Sequence, residues 1–122
     1  MVSLLFNCAT KLNQNPLLMK TRSKVVEVVL FEVNPGYSNT EAEKALSSLN
    51  DVLKLYYGFI ERTTAKNGDG KYIDIVYWSD MKSAKDAATD IMKNDIATSA
   101  FSIIKPESVQ MHHFDTFNQF EE

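Results

Sequence analysis

The sequence predicts an α+β fold: one antiparallel sheet with helices on one face, its elements in the order β-α-β-β-α-(α)-β. Three observations predict it. Runs of β-branched and aromatic residues at 24–33, 59–66, 71–80 and 108–117 read as strands. Two stretches with apolar residues at helical spacing lie between them. Asn67-Gly-Asp-Gly70 joins the middle two strands as a hairpin turn.

The first strand, residues 24–33, alternates with a period of two. Val25, Glu27, Val29, Phe31 and Val33 share one face, and Val26, Val28, Leu30 and Glu32 share the other. Both faces are apolar, so both require cover. Asn34-Pro-Gly36 then ends the strand with turn chemistry. Ser38-x-x-Glu41 and Thr40-x-x-Glu43 each fit a capping box, in which hydroxyl and carboxylate satisfy free backbone N–H groups. Ala42, Ala45, Leu46, Leu49, Val52 and Leu53 form the stripe of a first helix, closed by Tyr56-Tyr57-Gly58.

For the hairpin, setting Lys66 opposite Lys71 puts Thr63 opposite Asp74 and Phe59 opposite Trp78. Phe59, Glu61, Thr63, Tyr72, Asp74, Val76 and Trp78 then share one face, with Ile60, Arg62, Ile73, Ile75 and Tyr77 behind. A slip of one residue would exchange the faces of a strand. Ser79 or Asp80 caps the second helix, whose stripe is Met81, Ala84, Ala87, Ala88, Ile91 and Met92. Asn94-Asp95 interrupts it, and a shorter helix through Ile104 stops before Pro106.

This order is the ferredoxin-like arrangement, whose usual sheet places strand one between strands three and four. Glu27, Asp74 and a strand-four histidine then become neighbours. Helices cover only one face, and the other is also apolar. A second copy packed sheet to sheet is the simplest cover, so a homodimer is expected. Residues 24–122 are assigned to this domain and residues 1–23 to an N-terminal extension, either an arm or a short helix.

Composition narrows the classes further. The 122 residues suffice for a single domain with a core of its own. Net charge is −3, and residues 1–26 hold four bases and no acid, so the remainder carries −7. An acidic body argues against nucleic-acid binding, including an RNA-recognition module of the same element order. Cys8 is alone, which excludes an intrachain disulfide and a cysteine metal cluster and suggests a reducing, cytoplasmic setting. No apolar run approaches the roughly 20 residues that span a bilayer, and the opening residues read as non-targeting.

Asp74 and Glu27 are acids within apolar strands. Burial of a carboxylate is costly, so each is expected to be paired, protonated or turned to a wet cavity. One with a raised pKa would suit a general base; the competing reading is an ion pair with Arg62 or a histidine. His112 and His113 are adjacent on a strand and point to opposite faces, so they cannot chelate one metal together. One is available as acid or base beside Glu27 or Asp74. The catalytic candidates are therefore Asp74, Glu27, His113 and His112, with no metal. Trp78 is either a cavity wall or a large core residue. The glycines at 68 and 70 sit in the hairpin turn, and no phosphate-binding loop exists.

Asn34-Pro-Gly36, Gly58-Phe59, and above all Tyr77-Trp-Ser-Asp80 running into Ser83-Ala-Lys-Asp-Ala-Ala88 resemble the dimeric α+β barrel superfamily, within it the antibiotic-biosynthesis-monooxygenase-like domains. The resemblance covers roughly residues 24–117. It implies a ligand between sheet and helices beside Trp78, in a cavity lined by Trp78, Tyr72, Asp74, Val76, Glu27 and Val29. It also implies either a cofactor-independent monooxygenase acting on a small aromatic or quinone-like molecule, or a non-catalytic binding or structural homodimer. The haem-degrading branch carries an asparagine on strand one and a histidine on the second helix. The corresponding positions here read Val29 and Ala88 or Thr89, which argues against haem.

Overall fold

The computed structural model describes residues 23–121. The expected arm, apart from Ser23, lies outside the described residues, as does Cys8. Four strands, β1 (Val25–Glu32), β2 (Phe59–Lys66), β3 (Lys71–Trp78) and β4 (Gln110–Asp115), form an antiparallel sheet in the order β2-β3-β1-β4. Helices α1 (Asn39–Ser47), α2 (Leu49–Leu53), α3 (Met81–Asp90) and α4 (Asp95–Phe101) complete the ferredoxin-like α+β fold.

Of the two candidate capping boxes, the Ser38 box forms. Glu41 N–H donates to Ser38 Oγ at 3.1 Å, and Ser38 N–H donates to Glu41 Oε1 at 2.9 Å. The single helix expected after it is divided at Ser48. That hydroxyl donates back to the Ala45 carbonyl at 2.5 Å, the kind of local bond that bends a helix. Asp80 caps α3 by accepting from Ser83 N–H at 2.7 Å, and Asn94 caps α4 by accepting from Ala97 N–H at 2.9 Å.

The hairpin differs from the expected register. Asn67 N–H donates to the Lys71 carbonyl, while the Asn67 side-chain oxygen accepts from the N–H groups of Asp69 and Lys71. The loop is thus three residues long with Gly70 at φ +81°, a common hairpin connection. Lys66 consequently pairs with Tyr72, Thr64 with Asp74 and Arg62 with Val76. A bulge between Phe59 and Glu61 absorbs the odd residue and restores Phe59 to Trp78. Arg62 and Thr64 therefore join the face of Asp74, and Glu61 and Thr63 leave it. That corrects the sequence-based assignment, which had these pairs reversed.

The faces of β1 and β3 are as expected. Val25, Glu27 and Phe31 of β1 and Tyr72, Val76 and Trp78 of β3 are buried toward the helices. Their core is in two parts. One gathers Val25, Val76 and Trp78 with Leu49, Val52 and the alanines of α3 and α4. The other gathers Phe31, Tyr72, Ala42, Leu46 and Ile103. The middle residues of the same strand faces, Glu27, Val29 and Asp74, fall between the two parts. Gly58 makes the closest approach, at φ +86°, where an added Cβ would lie 2.5 Å from Ser83 Cβ.

Candidate functional site

Between the two core clusters lies a cavity of about 440 Å³, bounded by the sheet on one side and α1–α4 on the other. Val29, Val76, Leu49, Leu53 and Ile91 give it apolar walls, and Met92, Val109 and Met111 lie at its exposed side. Its polar wall consists of Glu27, Asp74 and Arg62.

The Arg62 side chain is buried, and each of its nitrogens is engaged. Nε donates to Asp74 Oδ1 at 2.8 Å and Nη2 to Asp74 Oδ2 at 3.2 Å. Nη1 donates to the Leu46 carbonyl and to Asn50 Oδ1, both at 2.8 Å. Asp74 Oδ1 also accepts from Thr64 Oγ1 at 3.0 Å. Both oxygens of Asp74 are therefore occupied, and the ion-pair reading weighed from the sequence is the geometry found.

Glu27 differs. It pairs across the strands with His113, whose Nε2 lies 3.1 Å from Glu27 Oε1. Burial pushes the Glu27 carboxyl above its ordinary value and the negative charge of Asp74 adds to this, while His113 and a weak pull from the Trp78 N–H act against it. His113 is thus the histidine on the cavity face; His112 is on the outer face, tilted against Phe114 at a centroid distance of 5.9 Å.

Four of the six residues expected to line the cavity do so: Glu27, Val29, Asp74 and Val76. Trp78 and Tyr72 do not, because they occupy the two ends of the β3 face and each is packed into a core cluster. Trp78 is 1% exposed and meets Phe59 edge to face at 5.9 Å; Tyr72 stacks on Phe31 at 5.5 Å. The Trp78 Nε1–H is buried with no acceptor in hydrogen-bond geometry among the described residues, so its influence on Glu27 is through space. Arg62 and Leu46 were missed, Arg62 because the hairpin register set it on the wrong face. Among the described residues no group of three or more His, Cys, Asp or Glu is placed to hold a metal ion, and no helix is long and apolar enough to cross a membrane.

A four-stranded antiparallel sheet in the order β2-β3-β1-β4, covered by helices on one face with a cavity between the layers, defines a ferredoxin-like α+β fold. No protein-family model matches the sequence. No curated protein matches it either. The fold is shared with SnoaB, a cofactor-independent oxygenase from Streptomyces nogalater, at 19% identity and a TM-score of 0.66, over 82% of this chain and 99% of that one. It is shared with the ActVA-Orf6 monooxygenase of Streptomyces coelicolor, solved with the ligand nanaomycin D, at 14% identity and a TM-score of 0.63, over 84% and 95%. A variant of MhuD with two manganese protoporphyrin IX molecules bound per active site is similar at 17% identity and a TM-score of 0.59, over 80% and 99%. At these identities the likeness is one of fold.

Proposed function

We propose that the chain binds a small, largely apolar aromatic or quinone-like molecule in the cavity between sheet and helices, and acts on it as a monooxygenase without a bound cofactor. The observation that carries this reading is an apolar cavity of about 440 Å³ whose polar wall includes the carboxylate of Glu27. Apolar walls with a few placed polar groups are the usual make-up of a small-molecule site. The fold shared with SnoaB and ActVA-Orf6 supports the same reading.

The chemistry such a site would perform begins with proton removal. A CH₂ activated by a neighbouring carbonyl and arene gives its proton to Glu27 and becomes an electron-rich anion. That anion reduces dioxygen; one oxygen atom ends as the new carbonyl and the other leaves as water. The substrate is its own reductant. Haem fits poorly, because Val29 and Ala88 line the cavity and, among the described residues, no histidine does.

A non-catalytic binding protein of the same fold is favoured by a different observation. Both oxygens of Asp74 are engaged by Arg62, and Trp78 is sealed in the core. Oxygen consumption across a panel of anthrones and quinols separates the two readings. Turnover of any member supports the oxygenase; tight binding without oxygen uptake supports the binder.

The partner in either case is a second copy, with a cytoplasmic setting. Val26, Val28, Leu30, Ile73, Ile75 and Phe114 form the outer sheet face; Leu30 and Phe114 are exposed. Exposed apolar faces of this kind mark association surfaces. Light scattering should give the dimer mass, and Ile75→Glu should lower it to the monomer's. A monomeric parent chain would remove the proposal.

A further inference from the structure

The cavity is polar at one end and apolar at the other, and the sheet register sets the direction. Thr64, Asp74, Val29 and Met111 stand side by side across the four strands. Neighbouring strands are about 4.8 Å apart, so Met111 is about 10 Å from Asp74, on the far side of Val29. The polar lining residues Arg62, Asp74 and Glu27 belong to β2, β3 and β1, whereas β4, at the edge of the sheet, contributes Met111. Every lining side chain from the helices and connections is apolar.

At the β4 end the apolar wall continues to the surface. Met92, Val109 and Met111 line the cavity and are 59%, 42% and 48% exposed. Val109 directly precedes β4 and Met92 follows α3, so the rim has one side from the sheet edge and one from the helices. Met111 shares the face of Val29, so the rim is on the helix side of the sheet, opposite the outer face proposed for a second copy. A ring seated on Val29 and Val76 would leave these side chains wet. A hydrocarbon chain running from that ring to solvent would cover them, and the unbranched methionines can adapt to its path.

The polar end limits the charge of such a ligand. Glu27 and Asp74 are both carboxyls, and Arg62 is committed to Asp74, the Leu46 carbonyl and Asn50. A fatty acid or a phosphate head would be buried beside these carboxyls with no uncommitted cation among the described lining residues.

We propose that Met92, Val109 and Met111 form a subsite for a hydrocarbon chain, and that the cavity ligand is an uncharged ring carrying an alkyl or isoprenoid chain that leaves between the end of α3 and β4. This rests on the cavity being a small-molecule site, and it adds the substrate class: ring inside, chain across the rim.

The test titrates the full chain with 2-methyl-3-alkyl-1,4-naphthoquinones whose alkyl group is methyl, propyl, hexyl or decyl. Affinity should rise about threefold per added methylene, under the roughly fourfold of full burial because the rim is half open, and level off once the chain has passed it. The readout is the ratio of hexyl to methyl affinity. Met92→Glu and Met111→Glu, at exposed positions, should each cut that ratio about tenfold or more. Met111→Leu, which stays apolar, and Ile75→Glu, on the outer sheet face, should keep it. Decanoate, a chain with an anionic head, should bind at least about a hundredfold more weakly than the decyl quinone. Equal affinity along the series, or a ratio kept in both glutamate variants, would overturn the proposal and leave the cavity reading standing. So would a ratio lost in Ile75→Glu, which would put the chain on the outer face. Decanoate bound as tightly as the decyl quinone would overturn the proposal through its uncharged ring. Binding of none of the quinones would overturn both the proposal and the cavity reading.

Discussion

Arg62 grips Asp74 as a fork, with Nε on Oδ1 at 2.8 Å and Nη2 on Oδ2 at 3.2 Å, while its remaining nitrogen holds the Leu46 carbonyl. The guanidinium side chain is 3% exposed. It ties β2 and β3 to the end of α1, next to the division of the helix at Ser48. The pair stands at the cavity wall with both carboxylate oxygens engaged by the protein. Its work is to fix the wall.

Removing one partner of such a pair leaves the other buried and uncompensated. Asp74→Asn and Arg62→Met should each cost on the order of 3–5 kcal/mol, read from the shift of the urea midpoint. Under conditions where Asp74→Asn remains folded, affinity for a cavity ligand should change little. Loss of binding without loss of stability would show that Asp74 meets the ligand after all.

Most of the fold was legible because its signals are local. Val25 to Glu32 is a run rich in β-branched residues, Ser38 and Asp80 carry capping chemistry, and Asn67-Gly-Asp-Gly70 marks a turn. The site was half legible. Glu27 and Asp74 stand out as acids in apolar strands, but their partners depend on register. The side chain of Asn67 decides that the loop has three residues and not four, and the bulge at Ile60 returns the strand to phase. Neither leaves a mark in hydrophobic periodicity, so Arg62 was assigned to the wrong face. Trp78 misled for another reason. A tryptophan at a strand end near a cavity and one sealed in the core have the same local sequence, and only the packing of Leu49, Val52 and the alanines of α3 and α4 around Trp78 distinguishes them.

Gly58→Ala should be strongly destabilising. The backbone is at φ +86°, and the new Cβ would meet Ser83 Cβ at 2.5 Å, Ser83 Oγ at 2.6 Å and Ser79 Oγ at 2.8 Å. Conformational strain and overpacking together should cost about 2–4 kcal/mol. Equilibrium unfolding in urea measures this. Gly36→Ala, at φ +99° with nothing within 4 Å, should suffer the strain alone and lose less. Equal losses at the two sites would mean that contact with Ser83 is relieved at no cost.

Ala88 lines the cavity from α3. Ala88→Trp should fill the space that the ligand would occupy, with stability within about 1 kcal/mol of the parent, since the indole enters a void and displaces no packed atoms. Ligand affinity should fall by at least about a hundredfold, measured by titration calorimetry. Unchanged binding would place the ligand outside this cavity. A collapse in stability would mean that the void is not available to a side chain from α3.

The stability of the chain should carry the signature of Glu27. Burial, aided by Asp74, raises its carboxyl above the ordinary 4.5, against the opposing pulls of His113 and the Trp78 N–H. Between 4.5 and the raised folded value, the folded chain holds a proton that the unfolded chain has released. The contribution is therefore fully present below 4.5 and is lost as pH rises through the folded value. Glu27→Gln cannot titrate, so its urea midpoint should fall less than the parent's as pH is raised from about 4 to about 7. Asp80 and Glu32, whose carboxyls are held low, act with the opposite sign and lose their contribution as pH falls. Both remain in the variant and cancel in the difference. If the two midpoints instead move in parallel across that range, the Glu27 carboxyl is not raised, and the case for it as a general base loses that support.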